Sequence, residues 1–107
     1  RRMNKLNQYF NLLRNSYDSI QNKSLLNLSS RDIKKIEVLI LFILENKELI
    51  SENLGSSILV LYNQLFGEFS LVYRQDNSEE ICEDTFNVFK KDILQELQRV
   101  SKKLNEK

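Results

Sequence analysis

The chain contains no histidine, so the commonest general base and the commonest imidazole metal ligand are both missing. Ser-His-Asp, Cys-His and His-Glu-x-x-His arrangements cannot be built within it. Gly55 and Gly67 are its two glycines, too isolated for a phosphate-cradling loop. Cys82 is the single thiol. Glu80, Glu83 and Asp84 around it raise a thiol pKa, while a place near the start of a helix lowers it. With no histidine beside it, Cys82 reads as a small half-buried apolar residue.

Carboxylates are the other candidates for chemistry. Asp76, Glu79, Glu80, Glu83 and Asp84 fall within residues 76–84 with no base among them. They lack the D-x-[DN]-x-[DN]-G spacing of a calcium loop. At the start of a helix they suit the positive end of its dipole, and as a working patch they fit a basic partner better than a metal. Glu37 and Glu45 flank the apolar run Val38–Leu44 and read as solvated groups. Two N-x-S sequons, at Asn22 and Asn27, are expected by chance in a chain rich in Asn and Ser. The residue inventory predicts no enzyme activity, no cofactor and no metal.

The 107 residues carry 16 basic and 15 acidic side chains, a net charge of +1. A near-neutral chain has no global field to collect nucleic acid or an anionic surface. Arg1, Arg2, Lys5 and Arg14, interleaved with Tyr9, Phe10 and Tyr17, have the ingredients of single-strand binding, but the aromatics are better spent on packing. The longest apolar run, Val38–Leu44, has seven residues, far short of the ~20 that span a bilayer. One cysteine forms no internal disulfide, which fits an intracellular, cytoplasmic or nuclear, setting. The opening Arg-Arg-Met suggests a single domain over 1–107 cut from a longer protein.

Four segments must carry these groups. Met3, Leu6, Phe10, Leu13, Tyr17 and Ile20 are spaced 3-4-3-4-3, a heptad-like helical seam with coiled-coil character. Residues 21–30 read as a loop. Ser29 and Asp32 resemble a capping box for a second helix. Its apolar residues, Ile33 through Leu44, run nearly all round, which predicts the central, most buried helix. A third helix starts near Ser51 or Glu52 and carries Leu54, Ile58, Leu61, Leu65, Phe69 and Val72. Gly55 and Gly67 invite a bend or a close crossing there. The fourth starts at Asn77 or Ser78 and bears Phe86, Phe89, Ile93, Leu97, Val100 and Leu104. Proline is absent. The predicted fold is all-α, an antiparallel bundle of about four helices. The alternative is α+β, with strands at 36–44, 57–62 and 69–74 between two flanking helices.

Missing chemistry and amphipathic terminal helices together predict a non-enzymatic protein–protein interaction or assembly module. Its partner would be another protein or a second copy of the chain. Contacts are expected at Lys5, Arg14, Glu79, Glu80 and Glu83, beside the terminal stripes. A small helical inhibitor or immunity-type protein with one cognate partner is the second reading, and a nucleic-acid accessory domain the third.

Overall fold

The computed structural model describes the backbone of residues 2–66 and 79–106, with side chains over 4–63 and 83–106. Four α-helices account for most of the described residues: α1 (Arg2–Ile20), α2 (Ser30–Glu45), α3 (Glu52–Phe66) and α4 (Glu79–Asn105). They form the antiparallel bundle. Short 3-10 turns at Leu25–Asn27 and Lys47–Leu49 break the α1–α2 and α2–α3 connections. No strand occurs among the described residues, and 36–44 and 57–62 are helical. Residues 69–74 lie outside them.

The helix starts follow local chemistry. Ser29 accepts the Asp32 N–H at 3.1 Å through its hydroxyl, and the Asp32 carboxylate accepts the Ser29 N–H at 2.9 Å. This capping box satisfies two of the amides that open α2. At its other end Asn46 leaves helical geometry, with φ −134° and ψ 51°. α3 runs unbroken through Gly55, whose φ is not positive. No atom of another element lies within 4 Å of where a Cβ would sit, so Gly55 marks neither the bend nor the close crossing expected of it. Lys102 and Lys103 close α4, the sign its dipole favours. Its described part begins at Glu79, and Asn77 and Ser78, where its start is expected, lie outside the described residues.

The core is a single cluster built on the inward faces of all four helices. On α1 the buried positions are Leu6, Tyr9, Leu13, Ser16 and Ile20, and on α4 they are Phe86, Phe89, Ile93, Glu96 and Val100. Both sets run 3-4-3-4, so each keeps a heptad spacing, but polar-tipped members enter both. Tyr9 and Ser16 take the places expected for Phe10 and Tyr17, and Glu96 that expected for Leu97. The three displaced residues are half-buried on the flank of the same helices. Tyr9 stacks on Phe42, with centroids 5.7 Å apart and planes 13° from parallel, which ties α1 to α2.

Helix order in space follows from which pairs pack. α2 packs on α1, α1 on α4 and α4 on α3, while α2 and α3 barely touch. Among the described residues three sides of the bundle are closed and the fourth is open. This corrects the expectation that α2 is the central, most buried helix. With one close helical neighbour among the described residues, it buries Ile36, Leu39, Ile40 and Ile43 and leaves Val38, Leu41 and Leu44 at 41%, 55% and 51% exposure.

Candidate interaction site

The ionisable groups drawn inside the bundle are saturated by their own neighbours. Glu96 is 2% exposed. Its carboxylate accepts the Tyr9 hydroxyl at 2.6 Å, the Ser51 N–H at 3.0 Å, and Arg99 Nε and a terminal Arg99 nitrogen at 2.7 and 2.9 Å. Arg99 also donates to the Leu49 carbonyl at 2.5 Å. One cluster thus fastens α1 and the α2–α3 connection to α4. Burial pushes the Glu96 carboxyl up, but the bonds from Arg99, Tyr9 and Ser51 outweigh it and hold it below the ordinary range. Burial and the facing Glu96 raise the Tyr9 phenol well above its usual value, and the Glu96 carboxylate raises Arg99. All three keep their ordinary charge at neutral pH, and both Glu96 oxygens accept hydrogen bonds from within the chain. The arrangement is a structural clasp, not a poised acid or base.

A second clasp sits at the α1–α2 corner. Asp32, 2% exposed, accepts Lys23 Nζ at 2.6 Å and the Ser19 hydroxyl besides its capping contact. Lys23 and Ser19 hold its carboxyl far below the ordinary range. Elsewhere Ser57 donates to Asp92, joining α3 to α4. Lys90 donates to the Lys23 carbonyl at 2.8 Å and lies 4.7 Å above the Phe86 ring. Among the described residues no group of three or more Cys, Asp or Glu side chains could hold a metal ion.

Of the charged residues expected to contact a partner, Lys5, Arg14 and Glu83 lie apart from one another. Lys5 is exposed, and its ammonium donates to Asn46 Oδ1 at 3.0 Å, beside the end of α2. Arg14 lies midway along α1, 3.8 Å from Asp18, with both side chains more than 60% exposed. The Glu83 carboxylate accepts the Leu25 N–H at 2.7 Å, at the opposite end of the bundle from Lys5. It caps the 3-10 turn, so part of its charge is spent inside the chain. The Glu79, Glu80 and Cys82 side chains lie outside the described ones. The aromatics that could have stacked on bases are committed to packing: Tyr9 is buried, and Phe10 and Tyr17 are half-buried along α1 and α4.

What the described residues do present is an open α2–α3 side. A trough of about 580 Å³ runs along it. Ile40, Ile43, Leu44 and Lys47 form one wall, Ile50 and Ser51 the floor of the connection, and Gly55, Ile58, Leu59 and Tyr62 the other wall. Leu59 is 60% exposed, Leu44 51% and Tyr62 42%. The lining is overwhelmingly apolar, with Lys47, Ser51, Glu52 and Ser56 at its polar edges. Shallower grooves follow α1 and α4 (Phe10, Tyr17, Leu94, Leu97) and α3 and α4 (Val60, Val88). Each is smaller in apolar content or more interrupted by charge. In the sequence the trough was hidden, because its walls come from two helices and looked like core stripes on both. The only hint was an excess of apolar residues on α2 beyond what one buried face needs.

No family model, no curated protein and no solved structure matches the chain. Among the described residues no helix is long and apolar enough to cross a membrane.

Proposed function

We propose that the protein is a non-enzymatic interaction or assembly module whose working surface is the α2–α3 side of the bundle. The observation that carries this reading is the open seam, where an apolar trough flanked by half-exposed Leu44, Leu59 and Tyr62 stands between two helices that barely touch. Apolar surface gathered in one place is costly to leave in water and is a common mark of a docking site. A groove between two helices has the shape to receive a third, with anchors at helical spacing on the incoming element. The buried polar groups support the reading from the other side, since each is consumed in holding helices together.

Leu44→Glu with Leu59→Glu tests it. Both side chains are mainly outside the core, so the pair should leave helicity and stability nearly unchanged. Wild-type protein used as bait in extracts of its native source should retain partners that the paired variant loses. The same bound proteins on both baits would refute the assignment of function to this face.

A further inference from the structure

The outer face of α2 has an order of residues that its own helix does not explain. Arg31, Lys34, Val38, Leu41 and Glu45 are spaced 3-4-3-4 and all five are exposed. Read from the N-terminus they run positive, positive, apolar, apolar, negative. Exposed Glu48 follows in the 3-10 turn just past the helix end. A helix dipole favours anions near the N-terminus and cations near the C-terminus. This stripe places its charges the opposite way, with no base in the last turn of α2. The one internal ion pair on it, Lys34 to Glu37 at 3.4 Å, leaves the lysine side chain 73% exposed, and such a pair contributes little.

The order becomes favourable when the stripe meets itself head to tail. In an antiparallel pairing centred between Leu39 and Ile40, Val38 of one copy faces Leu41 of the other. Lys34 faces Glu45, and Arg31 approaches Glu48. Every such contact occurs twice about the two-fold axis, the isologous arrangement common in dimers. The two helix dipoles also oppose each other. Leu44, further round α2, belongs to the rim of the trough and not to this stripe. We infer that the partner of this face is a second copy of the chain, joined by antiparallel α2–α2 packing in which Lys34 pairs with Glu45. The stripe lies outside the trough, so this inference goes beyond the reading of the α2–α3 side as a docking surface.

The test uses absolute mass by light scattering across a wide concentration range, with four samples. Wild-type protein should rise from 12.7 kDa towards twice that value. Lys34→Glu and Glu45→Lys should each stay monomeric, because each puts like charges face to face at both ends of the seam. Either substitution matches the helix dipole better than the native residue, so the fold of the monomer is not at risk. An equimolar mixture of the two variants should regain the dimer mass. At one end of the mixed seam the introduced carboxylate at position 34 meets the introduced ammonium at position 45. At the other end native Lys34 meets native Glu45. A wild-type chain that is monomeric throughout overturns the proposal. So does a dimer that survives both single substitutions, or a mixture that stays monomeric. None of these results touches the wider reading, which stands or falls on whether the Leu44 and Leu59 variant loses its bound proteins.

Discussion

Glu96 is the residue on which most of the bundle's polar order converges. Replacing Tyr9 by Phe removes one of its donors and leaves the ring packed against Phe42, so the loss isolates the hydroxyl. A hydrogen bond to a buried charge contributes about 1.5–3 kcal/mol, and Tyr9→Phe should lower the free energy of urea unfolding by about that much. No change would mean that Arg99 and Ser51 satisfy the carboxylate alone. The pH dependence has a definite sign. Folding depresses the Asp32 and Glu96 carboxyls, so the stability they contribute is complete above the ordinary carboxylate value of about 4 and is lost as pH falls below it. Unfolding midpoints should fall as pH drops from about 5 to about 2, and Asp32→Asn should flatten that fall. An unchanged slope in the variant would remove Asp32 as its cause. Little of this was legible in the sequence. A glutamate one position before Leu97 and a tyrosine one position before Phe10 look like flank residues, because periodicity reports which positions face inward only to within a step of the helix. That their side chains meet depends on the register of α1 against α4, which neither stripe contains alone.

At the scale of the element the sequence reads more clearly. The Ser29–Asp32 capping box is a local interaction, complete within four residues, so spacing alone reveals it. Ser29→Ala should cost about 1 kcal/mol by thermal or urea unfolding. A variant as stable as wild type would show that Asp32 holds the α2 start without it. Gly55 is the converse case. A lone glycine inside a helix suggests a packing reason, yet open space surrounds the position of its missing Cβ. Gly55→Ala should therefore stabilise the protein by about 0.5–1 kcal/mol, and a destabilised variant would reveal a contact at this site. The expectation for α2 failed for a physical reason. An apolar band wider than one face means burial on several sides only if neighbours exist on those sides, and among the described residues α2 packs closely on α1 alone. The same excess of Val38, Leu41 and Leu44 that suggested a central helix is what remains available for a partner.

For the whole molecule, the fold class follows from four helical segments without proline, and the way the helices close does not. An interior seam and an outward seam have the same composition, so the open side becomes visible only when α1–α2, α1–α4 and α3–α4 are seen to close without α2–α3. The stripes at the two chain ends pack on each other and also on α2 and α3. Among the described residues most of the exposed large apolar side chains belong to the middle of the chain, where Leu44 and Leu59 line the trough. The most direct measurement of the central claim is site-specific photo-crosslinking in cells of the native source, with the reactive group at Leu59 and, as a control, at exposed Gln95 on α4. Crosslinks to a protein, a second copy included, are expected from position 59 and few from position 95. Equal yields from the two positions, or yields only from position 95, would contradict that claim.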